Sequence, residues 1–277
     1  NVQSIVNGQL PPIIIEPKKF YATTVGESIF NGCKHILEKE KQGLFNYNTD
    51  GLMFTPMDLA VGASHVGERA VDPGRQGWDY LMKWKPSKWN TIDFFVKIQK
   101  DSVGKDNIGV VYQSGIDTSA SNQLLQYKTL VLRVGLDPKN MRFEDPCQAI
   151  LNGNLSNYDK RRRGNYVPVP FIPTSPEDPQ ASLCNVPLVQ SINGDKFMFT
   201  EEKEVIEDNM IIEFRYDMEK SGLWRWIPVR IRYDKTADLR KNGRNFGNAH
   251  HVADANWHSI HHPITEAMLT TGENISS

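Results

Sequence analysis

Three short segments carry residue types suited to phosphate chemistry. In Thr49-Asp50-Gly51-Leu52-Met53-Phe54-Thr55-Pro56 a carboxylate stands at the mouth of an apolar strand, a place where a divalent cation can be held beside a phosphate, because Mg²⁺ prefers oxygen ligands. In Leu81-Met82-Lys83-Trp84-Lys85-Pro86 alternation along a strand puts Lys83 and Lys85 on one face, their Cα atoms about 7 Å apart, with Met82 and Trp84 turned toward a core. Two ammonium groups that close repel unless an anion lies between them, and a phosphate supplies one. In Trp224-Arg225-Trp226-Ile227-Pro228-Val229-Arg230-Ile231-Arg232-Tyr233-Asp234-Lys235 an extended chain would line Arg230, Arg232 and Asp234 on one face. The planar guanidinium suits bidentate phosphate binding, and a neighbouring carboxylate can orient it. Taken singly, each segment is read more simply as an Asp-Gly turn, an edge strand protected by lysines, and a cross-strand ion-pair ladder.

The elements that must position these residues are legible in outline. Residues 10–17 read as a short buried strand fenced by prolines. The spacing of Ile29, Cys33, Ile36 and Leu37 predicts a helix over 25–42, opened by a Thr24/Glu27 capping box and stopped at Gly43. Strands are expected at 52–55, 80–85, 92–98, 108–112, 129–134, 210–216 and 224–233, the later ones suggesting a small barrel or sandwich. A composition shift at Lys100–Lys105 marks a domain boundary. From Asp137 to about Leu188 the chain reads as a long irregular insertion, with six prolines between Pro168 and Pro187. Ala249, Val252, Ala253 and Trp257 have helical spacing, ended by Pro263.

Composition narrows the classes. The chain has 277 residues, 39% of them hydrophobic and 23% charged, with 32 basic against 33 acidic side chains. That balance excludes a broadly basic nucleic-acid binder, an acidic tail protein and a disordered chain. No apolar run approaches the ~20 residues of a membrane helix. Cys33, Cys147 and Cys184 are too widely spaced for a zinc knuckle or a disulfide scaffold, which favours a reducing compartment. The chain opens Asn1-Val2-Gln3 without an initiator Met and reads as an excerpt of a longer polypeptide.

In this order, the three segments resemble the later motifs of the covalent nucleotidyltransferases, the superfamily of mRNA capping guanylyltransferases and polynucleotide ligases. Asp50-Gly51-Leu52-Met53-Phe54 is similar to the acidic-Gly-hydrophobic motif four, Lys83-Trp84-Lys85 to the paired-lysine motif five, and Arg232-Tyr233-Asp234-Lys235 to the R-x-D-K of motif six. The wider wording resembles the capping enzymes of large cytoplasmic DNA viruses. The resemblance implies an α+β chain: the C-terminal part of an ATP-grasp-like nucleotidyltransferase lobe over 1–102, an OB-fold β-barrel over 103–265 with an insertion at about 137–188, and a linker at 266–277 toward a methyltransferase domain.

It also implies a two-step reaction in which a lysine takes GMP from GTP, releasing pyrophosphate, and passes it to diphosphate-ended RNA. Asp50 would then help hold Mg²⁺ or Mn²⁺, Lys83 and Lys85 would contact the α-phosphate, and Arg232, Asp234 and Lys235 would close over the β- and γ-phosphates. The nucleophile belongs to a K-x-D-G motif; the chain's one Asp-Gly has Asn48 two residues before Asp50, so that lysine is expected upstream and this segment alone is expected to be inactive. The parent is expected to carry an RNA triphosphatase and a cap N7-methyltransferase and to work in the host cytoplasm, in a viral factory or virion, without a membrane. An ATP-dependent ligase fragment and a non-catalytic OB-fold RNA-binding module are the alternatives.

Three further features have ordinary readings. Five of the seven histidines lie between His250 and His262 and read as a polar helix surface rather than a zinc site. Lys160-Arg161-Arg162-Arg163 reads as a solvated loop, with RNA phosphates as the alternative. Trp224 and Trp226, placed on one strand face, read equally as core or as a stacking platform.

Overall fold

A computed structural model describes residues 20–21, 27–72, 78–112, 124–137, 166–243 and 245–273. The strand expected at 10–17, Thr24, Cys147 and the basic run 160–163 lie outside them. The chain divides into two compact units, Asn1–Lys85 with Ile264–Ser277, and Pro86–Pro263.

The first unit holds helix α1 (Ile29–Lys41) and a two-stranded antiparallel ribbon of β1 (Leu52–Phe54) and β2 (Met82–Trp84). Ser28 caps α1 by accepting the Asn31 N–H, and the chain turns away at Gly43, whose φ of +66° is left-handed. Cys33 and Leu37 of α1 bury against Leu52 and Trp84, with Ile36 and Phe54 at the margin. Ile29, expected on that apolar face, is half exposed at the first turn. Met82 also departs from expectation: Trp84 is buried, but Met82 sits at the open end of the ribbon and is 65% exposed.

In the second unit the described residues form a nine-stranded antiparallel sheet. Its strands are β3 (Thr91–Ile98), β4 (Ile108–Tyr112), β5 (Leu124–Leu136), β6 (Val167–Pro170), β7 (Leu183–Gln190), β8 (Lys196–Phe199), β9 (Val205–Ile206), β10 (Ile211–Tyr216) and β11 (Trp226–Ile231). They run in the order β11-β10-β3-β5-β7-β8-β9, and the long β5 also pairs with β4 and β6. The sheet curls until β11 meets the turn between β8 and β9. There the Glu201 and Glu202 amides donate to the carbonyls of Pro228 and Val229 (2.9 and 3.1 Å). The result is a nearly closed barrel, an architecture consistent with an OB-fold and with the α+β class.

Helices α2 (Tyr233–Asn242) and α3 (His250–His261) follow. Of the residues expected at helical spacing, Ala253 and Trp257 turn, with Ile260, into the barrel core beside Phe94, Phe171, Phe214 and Trp226, whereas Val252 is exposed and Ala249 is the N-cap.

Several boundaries move. The composition shift places the strand expected at 92–98 in the first domain, but β3 is central in the barrel sheet, and the units part after Lys85. Composition sees loops such as Lys100–Lys105; it does not see which neighbour a strand pairs with. The stretch 137–188 is not wholly irregular, because β6 and the start of β7 lie in it. Its prolines suit a sheet margin: among the described residues β6 pairs with β5 alone. Pro168 and Pro170 occupy alternate positions, which leave the ladder intact as far as Phe171 N–H donating to the Leu132 carbonyl (3.0 Å). Residues 266–271 form helix α4 (Glu266–Thr271) rather than a linker; Leu269 packs on the small core, and Lys41 pairs with Glu266 at 2.5 Å.

Candidate phosphate-handling site

In the first unit, the ribbon's register sets Leu52 opposite Trp84 and Met53 opposite Lys83. Gly51 has φ +131°, and a Cβ there would run into the Trp84 carbonyl. Only glycine lets the two strands approach this closely at that point. The approach brings Asp50 beside the lysines: its Oδ2 accepts from Lys83 Nζ at 2.8 Å and lies 2.9 Å from Lys85 Nζ. Trp84, on the opposite face, anchors the strand by burial and by an indole N–H donated to the Ile264 carbonyl (2.7 Å).

The hydrogen bond from Lys83, then that from Lys85, holds the Asp50 carboxyl down at about 2, so it is fully ionised near neutrality. All three side chains are open to solvent, Asp50 at 59%, Lys83 at 44% and Lys85 at 33%. Two ammonium groups therefore share one anionic oxygen at a surface that a phosphate can reach. As a hard, ionised oxygen ligand Asp50 also suits Mg²⁺ or Mn²⁺, provided the remaining ligands are substrate phosphates and water. Among the described residues no group of three or more His, Cys, Asp or Glu side chains forms a ready-made metal site.

In the second unit, Arg232, Asp234 and Lys235 do not continue a strand as expected. β11 ends at Ile231; Arg232 occupies the N-cap position of α2, and Asp234 and Lys235 lie in its first turn. Tertiary bonds override the extended pattern. The Arg232 N–H donates to the Ile211 carbonyl (2.8 Å), and the buried Thr236 hydroxyl accepts the Ile211 N–H (3.0 Å), which fastens α2 to β10. The turn still gathers the three residues. Arg232 donates through Nε and Nη2 to Asp234 (3.3 and 3.2 Å), and its Nη1 reaches Asp93 Oδ2 at 2.5 Å. Lys235 Nζ reaches the same Asp93 oxygen, also at 2.5 Å. The Arg232 contact holds the Asp234 carboxyl below its usual range.

Asp93 was missed by the sequence reading. Its side chain is 8% exposed on β3, and it is the shared seat of both cations. A signal existed: one carboxylate within Thr91-Ile92-Asp93-Phe94-Phe95 would be buried, and a buried charge must be paired. Arg230 belongs to the same sheet face, donating to Glu213 at 2.7 Å while the Thr91 hydroxyl donates to the other Glu213 oxygen at 2.6 Å; Glu213 stands opposite Asp93 in register.

The remaining candidates fall elsewhere. Trp224 and Trp226 do not share a strand face: Trp226 is buried and donates to the Ala181 carbonyl (2.9 Å), while Trp224 lies in a 3-10 turn against Tyr127. His261 packs on Trp257, and burial lowers its pKa, while His258 stacks on His262. Cys33 and Cys184 are free and buried, and burial pushes the Cys184 thiol up. No helix among the described residues is long and apolar enough to cross a membrane.

Compared with models of known protein families, the chain matches none. Among curated proteins, an alignment 231 residues long, covering 81% of the chain, is 26% identical to the "Probable mRNA-capping enzyme" of Acanthamoeba polyphaga mimivirus, of which it covers 16%. A second alignment, 131 residues long and covering 44% of the chain, is 24% identical to the mRNA-capping enzyme of Mus musculus, of which it covers 18%. The chain thus spans less than a fifth of either relative's length. Both relatives carry the capping-enzyme name, and these two similarities support a place for the chain beside the mRNA-capping enzymes.

Proposed function

We propose that this chain is the C-terminal part of the guanylyltransferase module of a viral mRNA 5′-capping enzyme, a nucleotidyltransferase lobe remnant followed by an OB-fold. The observation that carries the reading is the Asp50 carboxylate shared by Lys83 and Lys85, and the similarity of the chain to capping enzymes supports it.

In the proposed reaction a lysine of the parent protein, upstream of this chain, attacks the α-phosphate of GTP. An N–P bond forms, the bond from the α-phosphorus to the bridging oxygen breaks, and pyrophosphate leaves. The diphosphate end of an RNA then attacks the same phosphorus and displaces the lysine. Lys83 and Lys85 stabilise charge on the α-phosphate, exchanging their bond to Asp50 for bonds to phosphate oxygens. Arg232 and Lys235 bind the β- and γ-phosphates, and Asp234 orients the guanidinium. Asp50 would hold Mg²⁺ or Mn²⁺, which would supply charge neutralisation there. The proposed setting is the host cytoplasm, in a viral factory or virion, with RNA triphosphatase and cap N7-methyltransferase domains in the same multifunctional polypeptide.

The test is acid-stable labelling with α-labelled GTP. The full-length parent should take up label and pass it to diphosphate-ended RNA, while this segment alone should take up none. A labelled segment would overturn the upstream-lysine assignment, and label from ATP in preference to GTP would replace capping by ligation.

A further inference from the structure

We infer that Asn248 is a positioning residue for the cation pair Arg232 and Lys235, acting through Asp93; the inference rests on the capping reading above. β3 and β5 pair over Phe95–Ile98 and no further toward Asp93. Into the gap enters the segment 247–249, bridging Phe94 through Gly247 and Gly135 through Ala249. Asn248 closes it on both sides. Its N–H donates to the Asp93 carbonyl (2.8 Å), and its carbonyl accepts the Gly135 N–H (3.0 Å). Gly247 makes this approach possible: its φ is +80°, and a Cβ there would strike the Asp93 carbonyl.

Those two bonds are main-chain bonds that any residue but proline at 248 can make. The side chain adds a third: Asn248 Oδ1 accepts the Asp93 N–H at 2.7 Å. Asp93 is thus gripped at both its amide and its carbonyl, one bond from the carbon that carries its side chain. The buried carboxylate so fixed is the oxygen on which Arg232 Nη1 and Lys235 Nζ converge. Arg232 spends three of its five N–H donors on Asp93 and Asp234, and Lys235 one of its three, so each keeps two for a phosphate. The side chain of Asn248 touches neither cation; it sets where both stand.

The consequence is specific to one step. The β- and γ-phosphates are present only while lysyl-GMP forms and leave as pyrophosphate, so a displaced cation pair affects the first step and spares the transfer to RNA. The experiment uses the full-length parent with Asn248→Ala and Asn248→Leu, which lack the acceptor, and Asn248→Asp, which keeps it. Lysyl-GMP formation is measured against GTP concentration, and transfer from preformed lysyl-GMP to diphosphate-ended RNA is measured separately. The acceptor-less variants are expected to form lysyl-GMP about five- to tenfold less efficiently, chiefly through a raised KM for GTP, with unchanged transfer; Asn248→Asp should stay near wild type. Equal loss in both steps, or no loss where Arg232→Ala abolishes labelling, overturns the inference alone. Acceptor-less variants that fail to fold beside a folded Asn248→Asp assign the side chain to stability and also overturn it. A wild-type parent that never labels removes the capping reading, and the inference with it.

Discussion

Lys85 Nζ lies 2.9 Å from the Oδ2 of Asp50, the same oxygen that Lys83 reaches at 2.8 Å. Two like charges are held side by side because one carboxylate neutralises both, and that carboxylate is open to exchange for a phosphate oxygen. The opening is what distinguishes this cluster from a structural ion pair: nothing in the arrangement is sealed from solvent.

Removing the ammonium groups tests the phosphate role. Lys83→Ala and Lys85→Ala in the full-length parent are each expected to lower lysyl-GMP formation roughly a hundredfold, the scale seen when a charge-stabilising donor is deleted. Both side chains are partly solvent-exposed and outside the core, so circular dichroism and thermal unfolding should change little. Unchanged labelling in the double variant would shift the balance to a non-catalytic binding module.

The pH behaviour of the cluster has a definite sign. The Asp50 carboxyl is depressed to about 2 from its ordinary value, so the ionised triad is complete above about pH 4 and is lost as pH falls through 2. A ¹³C NMR titration of the Asp50 carboxyl should report this midpoint, and Lys83→Ala should raise it toward the usual carboxylate range. An ordinary midpoint in the native chain would mean that the triad does not form in solution.

Gly51→Ala strikes the backbone that makes the triad possible. The left-handed φ strains any side chain, and the added Cβ meets the Trp84 carbonyl, so the ribbon should lose about 2 kcal/mol or more. Faster amide hydrogen exchange at Leu52 and Trp84 is the expected readout. Native protection at those amides would show that the ribbon tolerates the methyl group.

Asp93→Asn removes the seat of two cations from a buried position. Breaking a buried pair from one side leaves the other charge uncompensated, and a loss of about 3 kcal/mol is expected for the barrel unit. Urea denaturation followed by tryptophan fluorescence measures it, since Trp226 and Trp257 lie in that core. A midpoint equal to wild type would place the stabilisation of Arg232 and Lys235 elsewhere.

Legibility from sequence followed the range of the interaction concerned. Helix α1, the cluster of strands and the face of α3 that carries Ala253 and Trp257 were visible because period and turn chemistry are written locally. The pairing of Lys83 with Lys85 was visible for the same reason, since alternation along a strand needs no partner. Asp50 was singled out from its own segment, but its bond to those lysines depends on a register that Gly51 permits and that only the fold reveals.

Where a distant partner decided the outcome, the local pattern failed. Arg232-Tyr233-Asp234-Lys235 reads as a strand by alternation, yet bonds to Ile211 turn it into a helix start. The prolines of β6 read as loop because their position at a sheet edge is a property of the sheet. Asp93 was passed over because the residues that need its charge stand on another element, joined to it only when β3, β10 and α2 assemble. Residue type and spacing by themselves singled out the groups proposed to handle phosphate. Tertiary structure decided which carboxylate each cation rests on, because a charge buried or shared among strands is stable only beside a partner that chain folding brings from far away in sequence.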